Sequence, residues 1–163
     1  MKKYAFAALA VLFAVGIALI AVFGVRASAK MQAVRYSVNE PYNYPVKPGD
    51  DEWDAMSIEE RLEACRVDSE TAKNMDTHSL MLTVLDYPFI VDIGFYTHAG
   101  EGIEKVRAGF APLDELLNRS DASDILNEYV REVEKGGNVK DADYAIATHY
   151  HIAQSILEYV GNN

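Results

Sequence analysis

Apolar residues are densest, beyond the N-terminal segment, in residues 80–96, and a Tyr-Pro step divides this run. Pro88 has no backbone N–H to donate and clashes inside a helix, so a first helix should end near Tyr87. The same proline suits the first turn of a following helix. The run therefore predicts two short buried helices that meet at an elbow, around which the other helices pack. A β-strand at 89–93 is the alternative, because β-branched residues are frequent there and short runs have no decisive periodicity.

A second helix signal precedes this run. Ser57 and Glu60 have the spacing of a capping box, in which each side chain accepts a backbone N–H of the other residue. Ile58, Leu62 and Cys65 then fall on one face of the predicted helix. We expect Cys65 to be a small buried core residue rather than a reactive thiol.

The other helix boundaries follow from cap residues, prolines and glycines. They are predicted at Asp68 or Ser69, at Thr77, at a break formed by Gly100 and Gly102, at Pro112, at Ser120 or Asp121 and at Gly136-Gly137, with a last helix from about Asp141 to Val160. No repeat of fixed period occurs, which argues against a solenoid. The predicted fold class is all-α: an irregular bundle of seven or eight short helices, preceded by an N-terminal hydrophobic leader helix and an extended Pro/Tyr-rich arm.

Residues 1–29 have the three parts of a secretory signal: Lys2 and Lys3, an uncharged run over residues 4–25, and a small-x-small site that ends at Ala29. The uncharged run is also long enough to cross a bilayer as a helix. Cleavage after Ala29 is one interpretation, and an uncleaved membrane anchor is the other. In both, the lysines stay inside, so the chain is predicted to be secreted or extracytoplasmic. It would contact the membrane only through residues 4–25, if the leader is not cleaved.

Residues 30–52 are predicted to form an extended arm ahead of a helical domain at 53–163. Pro41, Pro45 and Pro48 exclude a helix there and favour an extended chain. Tyrosines alternate with these prolines, and they either bind a partner or attach the arm to the helical body. We expect attachment, because a tyrosine ring buries a large apolar area.

The charge balance narrows the range of partners. The chain has 15 basic and 25 acidic residues, a net charge of −10. The leader holds three of the basic residues and no acid, so residues 30–163 carry 12 basic and 25 acidic residues, a net charge of −13. An acidic domain repels phosphate backbones, so nucleic acid is not expected as a partner. Cys65 is the single cysteine, so no intrachain disulfide can form and the fold depends on its core.

Asp92 is the first candidate functional residue. A carboxylate on an apolar helix needs a partner or a raised pKa, and such groups are frequent at functional sites. Tyr96, one turn further on, or a histidine from another helix is the expected partner. The structural alternative is a buried acid that is hydrogen-bonded to a tyrosine or to a helix start. Asp86 precedes the Tyr-Pro step, and we interpret it as a cap of the second helix.

The histidines are weaker candidates. His149 and His151 form an H-x-H pair, but residues two apart on a helix do not face each other, so one ion cannot easily bind both. His149 falls in the middle of an apolar arc and is expected to be a hydrogen-bonded core residue, whereas His151 faces water. His98 lies near the end of the central helices. A zinc site needs three or four converging ligands. No metal site and no cofactor is predicted, and no G-x-S-x-G, H-E-x-x-H, P-loop or EF-hand pattern occurs.

Three short segments have a familiar order: D-E-W at 51–53, L-x-Y-P at 85–88 and L-L-N-R-S-D-A at 116–122. In this order the chain resembles a group of uncharacterised secreted helical proteins of Gram-positive bacteria, over about residues 51–129. The resemblance implies export and a helical fold, and it carries no catalytic residue across.

Taken together, these patterns predict an exported helical domain that is not a catalyst. It would bind an unknown protein or a cell-envelope ligand, at the cell surface or in the extracellular space. The alternative is an extracytoplasmic hydrolase that uses Asp92 with His98 or His149, so whether the chain is an enzyme stays open. A metal-binding protein is the third possibility.

Overall fold

The structure is a computed structural model of the chain, and it describes residues 40–137, 139 and 143–162. These residues form eight α-helices and a 3₁₀ helix, and they contain no strand. The prediction of an all-α bundle is therefore confirmed for the described part of the chain. The leader at 1–29 and the first part of the arm at 30–39 lie outside the described residues. No helix within the described ranges is long and apolar enough to cross a membrane.

In chain order the α-helices are α1 (Asp51–Ala55), α2 (Ile58–Ala64), α3 (Ser69–Asn74), α4 (Thr77–Leu85), α5 (Ala99–Arg107), α6 (Ala111–Leu117), α7 (Ala122–Lys135) and α8 (Tyr144–Gly161). The 3₁₀ helix, Ile90–Phe95, lies between α4 and α5. Helix α4 is central, since it packs against α6, α7 and α8. The 3₁₀ helix packs mainly against α5 and also against α8, and α7 packs along α8.

Helix α4 is buried over most of its surface, as its apolar sequence predicts, with only His78 exposed and Leu82 partly exposed. Its fully buried side chains include Leu80, Met81, Val84 and Leu85. The helix is capped by Asp76, whose carboxylate accepts the N–H of Ser79 at 2.7 Å, and not by Thr77 as predicted. Thr77 is instead the first helical residue, and its hydroxyl donates to the carboxylate of Asp121 at 2.8 Å. This bond joins the start of α4 to the start of α7.

The elbow after α4 is confirmed, but its second segment differs from the prediction. Helix α4 ends at Leu85, and the next regular element is the 3₁₀ helix that begins at Ile90. Pro88 therefore lies in the connecting turn and is not the first residue of an α-helix. The alternative of a β-strand at 89–93 is wrong.

The 3₁₀ helix is only half buried, whereas the sequence predicted a buried helix. Ile90 and Ile93 face the core, while Phe95 is 81% exposed. Side chains three residues apart eclipse one another in a 3₁₀ helix, so the two isoleucines form one edge and Asp92 with Phe95 forms another. Only one such edge can face the core. The edge that contains Asp92 is therefore available to other groups.

The predicted break at Gly100 and Gly102 is wrong, because both glycines lie inside α5. Gly102 is buried against the 3₁₀ helix. A Cβ atom at this position would lie 2.8 Å from the Cα and 2.9 Å from the carbonyl carbon of Ile93, and would overlap its carbonyl oxygen. The glycine permits the close approach of two backbones, which any side chain would prevent.

Helix α2 has the predicted capping box, formed by Ser57 and Glu60. Cys65, the residue that ends α2, is fully buried, as predicted. The other two members of the predicted apolar face are not buried: Ile58 is 50% exposed and Leu62 is 46% exposed. Helix α2 has no buried residue of its own, so it lies on the surface of the bundle.

The described part of the arm, residues 40–50, packs onto α4 through its tyrosines. The backbone N–H of Tyr42 donates to the hydroxyl of Thr83 at 2.8 Å, and the hydroxyl of Tyr44 donates to the Thr83 carbonyl at 2.9 Å. Tyr44 is almost fully buried. Helix α1 then begins at Asp51, two residues before the predicted start of the helical domain.

Aromatic rings continue from this arm into the body of the protein. Tyr87 is the centre of the cluster: it stacks on Phe110 with ring centroids 3.8 Å apart, and it also contacts Tyr44 and Phe89. The full aromatic cluster consists of Tyr42, Tyr44, Trp53, Tyr87, Phe89 and Phe110. Each such pair adds about 0.5–1.5 kcal/mol beyond its buried area, so the cluster fixes the turn after α4.

The C-terminal hairpin follows the predicted punctuation. Helix α7 ends at Lys135, and its C-cap Gly136 is followed by Gly137, which has a φ of +135°, a conformation that favours glycine. Helix α8 begins at Tyr144, after the cap residue Asp143, and so starts three residues later than the predicted Asp141.

Candidate functional site

A groove of about 310 Å³ opens on the surface between the 3₁₀ helix, α2 and α5. We call it the Asp92 groove. Its lining residues are Leu62, Tyr87, Phe89, Asp92, Tyr96, Lys105, Val106 and Gly109. Two of these, Tyr87 and Phe89, belong to the aromatic cluster, so the inner wall of the groove is continuous with the packed core. The volume is at the small end of the range of about 300–1,000 Å³ that is typical of ligand pockets.

Asp92 is half buried in this groove, and its burial raises the pKa of its carboxyl group above the ordinary value. Desolvation is the cause of the shift, and no neighbouring cation opposes it. Among the described residues, none forms an ion pair or a side-chain hydrogen bond with this carboxylate. Tyr96, the partner expected from the sequence, lines the same groove without such a bond. The carboxylate therefore bears the cost of partial burial without a compensating group from the described fold.

Lys105 is the cationic residue of the lining. It lies on α5 and is exposed. Although Lys105 and Asp92 line one groove, they do not form an ion pair. The groove thus contains one carboxylate and one ammonium group, each open to a ligand.

Exposed apolar side chains surround the groove. Leu62 and Tyr96 belong to its lining, Ile58 lies one turn before Leu62 on the same face of α2, and Phe95 shares the edge of Asp92. We call these four residues, Ile58, Leu62, Phe95 and Tyr96, the apolar rim. All four are at least 39% exposed. Groups of large apolar side chains on a surface commonly mark an interaction site.

His149 contacts a different acid from the one predicted. Its Nε2 lies 3.4 Å from Oδ1 of Asp86, which is the residue that ends α4 and not a cap of the second helix. Burial lowers the pKa of His149, and the Asp86 carboxylate opposes this shift. His151 is exposed, as predicted. The Asp86–His149 contact could not be found from sequence, since the two residues are far apart along the chain.

His98 lines a second depression, of about 500 Å³, between the start of α5 and the end of α8. The other lining residues are Thr97, Ala99, Gly100, Ser155, Glu158, Tyr159 and Asn162. The hydroxyl of Ser155 donates to the His151 carbonyl at 3.0 Å, within its own helix. The described structure joins neither His98 nor His149 to Asp92 by a hydrogen bond, although proton transfer between them requires one, or a single bridging water.

The described residues contain neither a cluster suited to a metal ion nor an activated thiol. No group of three or more His, Cys, Asp or Glu residues is arranged to hold a metal ion there. Burial raises the pKa of the Cys65 thiol, which keeps it protonated at neutral pH.

Sequence reasoning found Asp92 and Tyr96 but missed Leu62 and Lys105 as members of one groove. One signal was present: Lys105 follows Gly102 by three residues. Had α5 been predicted to run through that glycine, Lys105 would have been placed one turn from the contact with the 3₁₀ helix.

No protein-family model, no curated protein and no solved structure matches this chain. The resemblance to secreted helical proteins of Gram-positive bacteria thus stays a prediction.

Proposed function

We propose that this chain is an exported, non-catalytic binding protein of the cell surface or the extracellular space, and that its ligand contacts the Asp92 groove. The observation that carries the proposal is the half-buried Asp92 carboxylate, which has no ion-pair partner among the described residues. A carboxylate in this position destabilises the fold, and sites that bind a ligand commonly have such a cost. The leader pattern of residues 1–29 supports the exported location.

The surroundings of the groove also support binding. Tyr87 and Phe89 are held by the aromatic cluster, and the contact of Gly102 with Ile93 holds the 3₁₀ helix on α5. A groove with fixed walls loses little conformational entropy when a ligand enters it. The apolar rim supplies area that a ligand could remove from water.

An extracytoplasmic hydrolase is the second candidate, because the raised pKa of Asp92 suits a general acid. That function needs a second group for proton transfer. In the described structure His149 contacts Asp86, and His98 lines the other depression. Binding accounts for the groove without a second catalytic group, so we prefer it.

Photo-crosslinking tests the proposal with a matched pair of positions. Phe95 on the apolar rim and Tyr144 at the start of α8 are both 81% exposed. The full chain is produced in exporting cells with benzoylphenylalanine at one position or the other, and the cells are irradiated. Covalent adducts are expected with the probe at 95 and not with the probe at 144. Equal yields at both positions, or no adduct at 95, would contradict binding at the groove.

Cell fractionation tests the location separately. The chain is expected in the medium or on the outer side of the membrane, where added protease digests it in intact cells. A chain that stays in the cytoplasm, protected from protease, would contradict export and leave the groove without its proposed setting.

A further inference from the structure

We propose that the Asp92 groove binds a lysine or arginine side chain of a partner polypeptide, whose neighbouring apolar residues lie on the apolar rim. This inference rests on the proposed function and specifies the partner. It combines three features of one surface: an unpaired carboxylate, aromatic walls and an exposed apolar border.

The carboxylate of Asp92 favours a cation, although Lys105 also lines the groove. Asp92 lies in the groove without an ion pair from the described residues, so an incoming ammonium or guanidinium group would be its first close counter-charge. The chain as a whole has a net charge of −10. A field of this sign attracts basic partners and accelerates their association.

The walls of the groove suit the same ligand. Aromatic faces attract cations through their π electrons, and Tyr87, Phe89 and Tyr96 line the groove together with the carboxylate. The long stem of lysine or arginine is apolar, so it can lie along the rings while its charged end reaches the acid. A volume of about 310 Å³ is adequate for a single side chain.

The rim distinguishes a polypeptide from a small free cation. Ile58 is 50% exposed and Phe95 is 81% exposed, and neither lines the groove itself. A small cation would fill the groove and leave these two side chains in water. A polypeptide would place its basic residue in the groove and its flanking apolar residues on the rim, which is the usual arrangement of an anchor surrounded by supporting contacts.

Lys105 makes it possible to test whether the ligand is positively or negatively charged. Because Lys105 repels a basic ligand, its replacement with glutamine should strengthen the binding of a cationic peptide. A ligand that is held by an anionic group would instead need Lys105, and the same replacement would weaken its binding.

The experiment uses the protein as recovered from exporting cells, together with three probes. The first is the peptide acetyl-Gly-Leu-Arg-Leu-Gly-amide, the second is the same peptide with neutral citrulline in place of arginine, and the third is agmatine, a free guanidinium compound. Binding is measured by isothermal titration calorimetry for the unchanged protein and for Asp92→Asn, Lys105→Gln and Asp124→Asn. Asp124 is an exposed acid on α7 outside the groove, so its variant changes the net charge by the same amount as Asp92→Asn. Circular dichroism verifies that each variant is folded.

The arginine peptide should bind more tightly than both the citrulline peptide and agmatine. Asp92→Asn should weaken its binding at least about tenfold, because hydrogen bonds to charged groups are the strong ones. Lys105→Gln should strengthen binding about two- to threefold, and Asp124→Asn should change it by less than about twofold.

Any one of the following results would overturn the inference: equal losses in Asp92→Asn and Asp124→Asn, weaker binding in Lys105→Gln, equal affinity for the citrulline and arginine peptides, or no binding of the arginine peptide. If agmatine binds as tightly as the peptide, the polypeptide partner is wrong. In each case the photo-adducts at position 95 decide separately whether the groove is a binding site at all.

Discussion

Replacement of Gly102 with alanine tests the contact that holds the Asp92 groove in place. The added Cβ would lie 2.8 Å from the Cα and 2.9 Å from the carbonyl carbon of Ile93, both closer than real Cβ contacts are. The opposing atoms belong to the backbone, so no change of side-chain rotamer can relieve the overlap. Helix α5 and the 3₁₀ helix must move apart, and Asp92 moves with the 3₁₀ helix.

The expected magnitude is the difference between two terms. Forcing an extra methyl group into a packed contact costs about 1–3 kcal/mol. Alanine in place of glycine within a helix returns about 0.5–1 kcal/mol. Because the opposing atoms are backbone atoms that cannot rotate away, the upper half of the first range applies, and we expect the free energy of unfolding to fall by about 1–2.5 kcal/mol.

Gly100 provides the matched control on the same helix. A Cβ at Gly100 would lie 3.7 Å from Cδ2 of Tyr159, which is an ordinary van der Waals distance. Urea unfolding, followed by circular dichroism, should give a lower midpoint for Gly102→Ala and an unchanged or higher midpoint for Gly100→Ala. If Gly102→Ala is as stable as the unchanged protein, the close approach of α5 to the 3₁₀ helix is wrong, and with it the argument that the groove has fixed walls.

Three further predictions use the same unfolding assay. Tyr44→Phe removes the buried bond to the Thr83 carbonyl and should cost about 0.5–1.5 kcal/mol; an unchanged midpoint would contradict this. His149 has a lowered pKa in the fold, so the stability should fall as the pH drops below 6.5, the ordinary pKa of histidine. His149→Gln should flatten this decline. An unaltered slope would show that another group is responsible. Asp92 has a raised pKa in the fold, so its ionisation removes stability as the pH rises through that pKa. The Asp92→Asn variant should therefore be more stable than the unchanged protein at pH 7 and should lose this advantage in acid. A variant that is less stable at pH 7 would indicate a structural partner for the carboxylate.

The features that sequence predicted correctly depend on groups within a turn of one another. The capping box of Ser57 and Glu60 joins residues three apart, and the positive φ of Gly137, next to the C-cap Gly136, prevents α7 from continuing. The burial of α4 belongs with these features, since residues 80–85 are apolar on nearly every side and such a segment has only one favourable environment.

The incorrect predictions concern residues whose role depends on a contact with a residue far away in the sequence. The pattern at Gly102 is typical of a helix break, because a glycine that ends a helix and a glycine that admits another backbone look alike in sequence. Thr77 has the sequence pattern of a cap, but Asp76 has the better capping group, and the Thr77 hydroxyl donates to Asp121 at the start of α7.

For the candidate site, sequence by itself determined that Asp92 is a carboxylate in an apolar run and that a turn precedes it at the Tyr-Pro step. Only the tertiary structure decided that this segment is a 3₁₀ helix with one edge in the core, so that Asp92 faces a groove walled by Tyr87 and Phe89. The reason is physical. Local patterns show which residues avoid water, whereas the edge of the 3₁₀ helix that becomes covered depends on how α5 and α8 pack against it.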